Sequence, residues 1–124
     1  MNEIPDNNDL NTSVSFFKKE VEEFVEKRNW TKYHTPKNLI QALTIEASEL
    51  SQCLLFKDYS VDKILKDDTL KTQISDEVAD VFIYLISLIN VLNIDLTSSF
   101  SNKMEKNKKK YSVKEFKNGI YYKK

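Results

Sequence analysis

Glycine and proline are almost absent from this 124-residue chain, and their scarcity limits what it can fold into. Gly119 is the only glycine, and Pro5 and Pro36 are the only prolines. A β-sheet protein of this size needs several tight turns, which glycine and proline usually supply. The same scarcity excludes a glycine-rich phosphate loop, a dinucleotide-binding fingerprint and a G-x-S-x-G nucleophile elbow. We therefore expect an all-α protein.

Length and charge indicate one neutral domain with a modest core. The 19 basic and 19 acidic residues cancel, so no net field attracts nucleic acid. Cys53 is the only cysteine, which excludes an internal disulfide, and no Cys/His cluster offers a zinc site. The N-terminus lacks a targeting pattern, and the run VFIYLISLINVL is shorter than a membrane span. These features predict a cytoplasmic protein that binds neither nucleic acid nor membrane.

Apolar periodicity predicts four long helices, four-helix-bundle-like in arrangement, between a disordered N-terminal arm and a C-terminal tail. The tail has no clean period, and we expect it to be extended and either packed on the surface or flexible. The arm covers residues 1–12, and the first helix runs from Ser13 or Ser15 through RNW. The second helix follows a Thr35 cap and runs from Pro36 to about Phe56, and a short helix or turn lies in 61–68. The third long helix covers about 69–93, the fourth is capped by Asp95 and runs to about 109, and the tail covers 112–124.

The third long helix is apolar on most of its faces over residues 78–92. A helix that is apolar all round must be covered all round. It is either the buried central helix of a monomer or a helix that also forms a subunit interface. We favour the interface, because obligate interfaces resemble a domain core cut in half. The sequence therefore predicts a homo-oligomer, a dimer or a tetramer.

Two pairs of acidic residues interrupt apolar helix faces: Glu46 with Glu49 in IEASEL, and Glu77 with Asp80 in DEVADV. Residues three apart on a helix share one face, so antiparallel packing of the two helices would bring the four carboxylates together. Such a cluster repels itself unless a counter-ion is present. Clustered oxygen ligands are what Mg²⁺, or alternatively Mn²⁺, requires.

Solvated surface acids are the main alternative, since a single E-x-x-E is common on exposed helices. Against it, the first pair has no lysine at helical spacing, and the second pair opens the most apolar helix, where unpaired charge is costly. A di-iron bundle needs Glu-x-x-His pairs, and the only histidine, His34, lies in none. We therefore predict a divalent-metal site at the four acids.

Longer blocks around these acids resemble the all-α nucleoside triphosphate pyrophosphatases of the MazG-like superfamily, and most closely the dCTP pyrophosphatase branch. The matching blocks are RNWTKYHTPKNL at 28–39, ALTIEASEL at 42–50, DEVADVFIYL at 76–85, and DL with KMEKNKKKY within 95–111. The resemblance implies one MazG-like domain over 13–111. It also implies an oligomeric, Mg²⁺-dependent enzyme that hydrolyses dCTP, or a modified dCTP, to dCMP and pyrophosphate. Its cellular role would be house-cleaning, which is the removal of non-standard nucleotides, or control of the dCTP pool.

The resemblance also assigns roles to residues of this sequence. The four acids would be metal ligands, and Glu49, or after it Glu46, would orient or deprotonate the attacking water. The implied base contacts are Trp30, His34, Phe56 and Tyr84. The implied phosphate contacts are Asn38, Lys103, Asn107, Lys110 and Tyr111.

Two other functions remain open from the sequence. The branch often has a tryptophan at the position of Phe56, and this departure leaves room for a pyrophosphatase of dUTP or of a broad range of nucleotides. A helical adaptor without catalysis is the other alternative. Retention of all four acids argues against the adaptor.

Overall fold

The computed structural model describes residues 6–124, and over that range the protein contains helices, turns and loops but no strand. Five α-helices follow one another, with a single turn of 3-10 helix at Thr31–Tyr33: α1 Val14–Lys27, α2 Pro36–Gln52, α3 Val61–Leu65, α4 Asp68–Val91 and α5 Leu96–Lys110. The all-α prediction is confirmed. The predicted N-terminal arm lies partly outside the described residues, and its described part includes a turn in which the Asn11 amide donates to the Asn8 carbonyl at 3.2 Å.

Side-chain caps encoded in the sequence fix where each α-helix begins. In each case an oxygen of the residue before the helix accepts a hydrogen bond from the backbone N–H three residues later, at 3.0 to 3.2 Å. The five caps are Ser13, Thr35, Ser60, Asp67 and Asp95. Such caps satisfy N–H groups that have no partner inside the helix. The predicted starts at Ser13, Pro36 and Asp95 are confirmed.

Helix α2 ends at Gln52, so the predicted end near Phe56 is wrong. After Gln52 the hydrogen bonds tighten to three-residue spacing, as in the bond from the Leu55 amide to the Gln52 carbonyl at 3.1 Å. Phe56 then adopts a left-handed conformation with φ of 59°, which a right-handed helix cannot contain. The apolar residues Leu54, Leu55 and Phe56 continue the helical pattern in the sequence, and no glycine or proline marks the turn.

The described residues up to Asn93 form one compact unit built around α4. Helices α1, α2 and α3 all pack on α4, and α2 does so most extensively. The buried apolar side chains are Leu39 of α2 and Leu70, Ile86 and Ile89 of α4. Helix α1 is joined to α4 by a hydrogen bond from the Asn90 amide group to the carbonyl of Lys18 at 3.0 Å. The unit therefore holds α4 in a fixed position relative to α1 and α2.

Helix α4 is only partly covered within one chain. Val78 is 50% exposed, and Ile83 and Val91 are exposed to a similar extent. On α2, the side chains of Ile40 and Ile45 are also at least half-exposed. The apolar surface that motivated the prediction of an oligomer is thus present on the outside of the unit, and the oligomer itself stays a prediction.

The second compact unit comprises Ile94–Lys124, which contains α5 and the tail that follows it. Residues 113–118 of the tail form consecutive turns. This part of the tail differs from the extended conformation that we predicted. Its turns end before Gly119, whose φ of 73° lies in the left-handed region that glycine tolerates best.

Aromatic stacking and one carboxylate hold the tail against the end of α5. The ring of Phe116 lies between those of Tyr111 and Tyr122, with centroids 5.5 Å and 4.9 Å away. Glu115 accepts hydrogen bonds from the Tyr122 hydroxyl and from Nζ of Lys124. The Lys124 backbone N–H also donates to the hydroxyl of Tyr111 at 2.9 Å.

No single helix in the range 6–124 is long and apolar enough to cross a membrane. Helices α4 and α5 counted together reach that length and composition across the bend between them.

Candidate functional site

Helices α2 and α4 bring three carboxylates together. One ligand oxygen from each of Glu46, Glu77 and Asp80 lies within 4.8 Å of the other two. Glu77 and Asp80 are three residues apart and therefore share one face of α4, and α2 packs on that helix. Oxygens that coordinate one hard divalent cation at about 2.0–2.6 Å can lie no more than about 5 Å apart. The three carboxylates thus have the spacing of a cation site, and we refer to them as the acidic cluster.

Glu49, the fourth predicted ligand, is exposed on α2 beside the acidic cluster and is not one of the three close carboxylates. Its carboxyl nevertheless interacts with that of Glu46 and is the main reason why the pKa of Glu46 rises to about 7. Removal of Glu46 from solvent and the negative charges of Glu49 and Asp80 raise this pKa further. The four acids therefore form one electrostatic unit.

Two oxygens of the acidic cluster are buried without a hydrogen-bond partner among residues 6–124: Oε2 of Glu46 and Oε2 of Glu77. Removal from solvent also raises the pKa of Glu77, although interaction with the carboxyl group of Glu46 opposes this effect. An unpaired buried carboxylate oxygen is costly. A cation would satisfy both oxygens, and an all-oxygen donor set suits Mg²⁺ or Mn²⁺. The residues present therefore fit the metal that the sequence predicted.

A cavity of about 510 Å³ lies between α1 and α4 and is bordered by the 3-10 turn region. We call it the aromatic cavity; its lining comprises Phe17, Glu20, Val21, Phe24, Val25, Trp30, His34, Ala79, Phe82, Ile83, Tyr84 and Ser87. Three of the four predicted base contacts, Trp30, His34 and Tyr84, are thus in one cavity. Its walls are held by edge-to-face ring contacts, Phe17 on Phe82 at 5.2 Å and Phe24 on Trp30 at 5.8 Å between centroids.

Helix α4 connects the acidic cluster to the aromatic cavity. Tyr84 follows Asp80 by four residues and so lies on the same face of the helix, one turn further on. Ala79, which lines the cavity, directly precedes Asp80. A ligand with an aromatic end and an anionic end could therefore contact both features of α4.

The structure does not bring Phe56 into the aromatic cavity. Its side chain is 99% exposed in the turn after α2, and it is not part of the cavity lining. Asn38 lies in the first turn of α2, where its Nδ2 donates to the Tyr33 carbonyl at 2.9 Å and ties the 3-10 turn to the helix.

The other predicted phosphate contacts belong to the second unit. Lys103, Asn107 and Lys110 lie on α5, and Tyr111 ends that helix. The roles assigned to these four residues, and to Phe56 and Asn38, stay predictions.

The sequence predicted no functional role for the other nine of the twelve lining residues of the aromatic cavity. Phe17 and Phe24 lie on the apolar stripe of α1, and Phe82 lies in the apolar run of α4, so their sequence pattern is that of ordinary core residues. Glu20 received no role. The available signal was that Glu20 interrupts the apolar stripe of α1 between the two phenylalanines.

Comparison with known proteins agrees with the fold. A family model described as the MazG-like family matches residues 42–123. This chain therefore belongs to the MazG-like family. The structure also resembles the crystal structure of a pyrophosphatase from Archaeoglobus fulgidus, with a TM-score of 0.73 and 33% identity, over 89% of this chain and 99% of that one. The predicted MazG-like fold is thereby confirmed.

The alignments with mammalian relatives cover a smaller share of those proteins than of this chain. The chain is 32% identical over 92 residues to dCTP pyrophosphatase 1 of Rattus norvegicus, and 31% identical over 90 residues to dCTP pyrophosphatase 1 of Homo sapiens. These alignments cover 73% and 72% of this chain but 54% and 53% of the relatives. The chain thus spans about half the length of the curated relatives it matches.

Proposed function

We propose that this protein is a Mg²⁺-dependent nucleoside triphosphate pyrophosphohydrolase that converts dCTP, or a modified dCTP, to dCMP and pyrophosphate. The observation that carries the proposal is the acidic cluster, with its two unpaired buried oxygens, on the same helix as the aromatic cavity. The names of the relatives, dCTP pyrophosphatases and an archaeal pyrophosphatase, support the reaction.

Glu46, Glu77 and Asp80 are the proposed ligands of Mg²⁺, with Mn²⁺ as the alternative and with Glu49 as an additional ligand at the edge. A metal held there would supply positive charge to neutralise the triphosphate and the departing pyrophosphate. The packing of α2 on α4 and the side-chain caps of both helices support this assignment, because they would hold the ligands in place for the metal.

The reaction that we propose is attack by water on the α-phosphorus of the nucleotide. A bond forms between the water oxygen and the α-phosphorus, and the bond from the α-phosphorus to the oxygen that bridges to the β-phosphate breaks. Pyrophosphate leaves with that electron pair, and the water proton passes to a base. Glu49 is the proposed base because it lies beside the three close carboxylates without being one of them, and Glu46 is the second candidate.

The aromatic cavity is the proposed base site. Its volume of about 510 Å³ is in the ordinary range for small-molecule pockets. Trp30 and Tyr84 offer ring faces, and His34 offers a hydrogen-bonding group, in a lining that is otherwise mostly apolar. Aromatic rings that stack on nucleobases contribute about 1–3 kcal/mol per base. The cavity can therefore orient the base while the acidic cluster receives the phosphates.

The triphosphate contacts that we propose are Asn38 and four residues of the second unit. Lys103, Asn107 and Lys110 recur at helical spacing, so they share one face of α5, and Tyr111 follows. Lysine ammonium and amide N–H groups are suitable donors to phosphate oxygens. The basic end of α5 would thus add positive charge to that of the metal.

We also propose that the enzyme is a homo-oligomer, a dimer or a tetramer, that works in the cytoplasm to remove unwanted nucleotides or to set the dCTP pool. The oligomer is supported by the exposed apolar side chains of α2 and α4. Phe56 stays a proposed base contact. Because the branch that this chain resembles often has a tryptophan at that position, a pyrophosphatase of dUTP or of a broad range of nucleotides is the alternative.

Product analysis tests the proposal. Purified protein with Mg²⁺ is incubated with each natural dNTP and with 5-methyl-dCTP, one at a time, and the products are separated by ion-exchange chromatography. We expect monophosphate and pyrophosphate, formed fastest from the cytosine nucleotides and abolished in Glu49→Gln. Turnover of another base would leave the metal site in place and change the base assignment. Absence of turnover with every nucleotide would overturn the proposal in favour of a non-catalytic adaptor.

A further inference from the structure

The lining of the aromatic cavity contains one carboxylate, that of Glu20. We infer that Glu20 determines base specificity by accepting a hydrogen bond from the exocyclic amino group of a cytosine bound in this cavity. The inference rests on the proposed function, since it assumes that the cavity receives the base of a nucleotide. Glu20 belongs neither to the acidic cluster nor to the residues proposed to act at the phosphates.

Glu20 lies between the two ring contacts that form the walls of the cavity. It follows Phe17 by three residues and precedes Phe24 by four, so all three share one face of α1. Phe17 packs edge-on against Phe82 of α4, and Phe24 packs edge-on against Trp30. A flat base between these walls would present its edge, where the exocyclic groups are, to a side chain at the position of Glu20.

No cationic partner takes up the carboxylate of Glu20 within residues 6–124. The ion pairs found in this range are those of Lys108 with Glu105 and of Lys124 with Glu115. Arg28, which follows α1, places its guanidinium 3.7 Å from the centre of the Phe24 ring and donates to the Phe24 carbonyl at 3.1 Å. Glu20 is therefore available as a hydrogen-bond acceptor for a ligand.

A carboxylate distinguishes cytosine from uracil by simple complementarity. Cytosine carries an amino group, which donates hydrogen bonds, at the position where uracil and thymine carry a carbonyl oxygen. A carboxylate accepts from the amino group and repels the carbonyl lone pairs. Discrimination between bases by one good contact of this kind amounts to about 5- to 150-fold, the equivalent of about 1–3 kcal/mol. Glu20 should thus favour dCTP over dUTP and dTTP.

Kinetics of three variants test the inference. The ratio of kcat/KM for dCTP to that for dUTP is measured for the wild type, Glu20→Ala, Glu20→Gln and the control Glu23→Gln, which removes a charge from the same helix outside the cavity lining. We expect the ratio to fall about tenfold or more in Glu20→Ala, mainly through loss of dCTP turnover, and to fall in Glu20→Gln, whose amide can donate to a carbonyl. We expect no change in the control. An active Glu20→Ala with an unchanged ratio overturns the inference and leaves the proposed pyrophosphatase intact.

Binding measured by fluorescence separates the inference from the proposed function. Trp30 is the only tryptophan of the chain and lines the cavity, so its emission reports on occupancy without any hydrolysis. Titration with 2′-deoxycytidine and 2′-deoxyuridine should show tighter binding of the cytosine nucleoside to the wild type and equal binding to Glu20→Ala. If the wild type hydrolyses no nucleotide, this result still supports the inference, whereas equal binding of both nucleosides to the wild type overturns it. Far-ultraviolet circular dichroism checks that each variant keeps its helices.

Discussion

Glu46 of α2 and Glu77 of α4 have carboxylate oxygens within 4.8 Å of each other, and each has its Oε2 atom buried without a hydrogen-bond partner in residues 6–124. Like charges at this distance oppose the packing of the two helices that hold them. A proton or a cation relieves the repulsion. Stability, pH and metal binding should therefore be coupled in this protein.

The metal-free protein should lose stability as the pH rises from 5 to 8. The pKa of Glu46 is raised in the folded chain from an ordinary value of 4.5 to about 7. A carboxyl with a raised pKa stabilises the fold in its protonated form, so this contribution is full below about 4.5 and is lost as the pH rises through about 7. Thermal unfolding followed by circular dichroism in the presence of a chelator should show a falling melting temperature.

Glu46→Gln and added Mg²⁺ provide the controls for this pH dependence. The variant lacks the titrating group and its repulsion of Glu49, Glu77 and Asp80, so its melting temperature should fall less over the same range. Mg²⁺ should raise the melting temperature of the wild type most at pH 8, where the carboxylates are ionised. A wild type that becomes more stable between pH 5 and pH 8 without metal would contradict the assignment of a raised pKa to Glu46.

Glu77→Gln should weaken Mg²⁺ binding and reduce hydrolysis by about 100-fold or more. Loss of groups that merely support a metal ligand typically costs about 10- to 100-fold, and Glu77 is proposed as a ligand itself. Isothermal titration with Mg²⁺, together with rates at saturating Mg²⁺, measures both effects. Asp76→Asn is the matched control, because it removes the neighbouring charge on α4 outside the acidic cluster. Equal losses in both variants would mean that net charge, and not coordination, is responsible.

Trp30→Ala should raise KM for dCTP by about 5- to 150-fold, with a smaller change in kcat, because loss of a stacked ring costs about 1–3 kcal/mol. Trp30 is 43% exposed, so its truncation should leave the fold intact. Tyr33→Ala is the matched control, since it removes an exposed aromatic ring from the same turn without touching the cavity lining. Steady-state kinetics at saturating Mg²⁺ measure the effect. A KM that responds equally to both substitutions would place the base elsewhere.

In solution the chain should have at least twice the mass of a single copy, as measured by light scattering after size exclusion. Val78 on α4 is 50% exposed in one chain, so Val78→Gln removes little of the chain's own packing. If a second copy covers α4, this variant should shift the mass toward one copy, because an apolar contact is lost and an amide is buried. Val61→Gln, which changes an exposed valine of α3, serves as the control. A wild type with the mass of one copy would contradict the predicted oligomer.

Much of the fold was predictable because its determinants are local. The caps Ser13, Thr35 and Asp95 mark the helix starts through hydrogen bonds that span only three residues. The end of α2 was not predictable in the same way. Leu54 and Leu55 keep the helical pattern of apolar residues, and the left-handed conformation of Phe56 has no glycine or asparagine to announce it.

The acidic half of the candidate site was easier to predict than the aromatic half. Glu46, Glu49, Glu77 and Asp80 are unusual on apolar helix faces, so their chemistry is visible without the fold. Phe17, Phe24 and Phe82 are ordinary residues for a helix core, and only the packing of α1 against α4 makes them walls of a cavity. The role inferred for Glu20 depends on the same packing. An acidic residue on a helix surface suggests no function in the sequence, and only the residues of α4 across the cavity show what it could contact.

Hydrolysis of dCTP in water enriched with oxygen-18 tests the central claim most directly. The reaction is run with Mg²⁺ for the wild type and for Glu77→Gln, and the products are examined by mass spectrometry. The proposal predicts that the wild type forms dCMP carrying the heavy oxygen and unlabelled pyrophosphate, and that Glu77→Gln forms almost none. Heavy oxygen in pyrophosphate or orthophosphate, or undiminished turnover in Glu77→Gln, would contradict it.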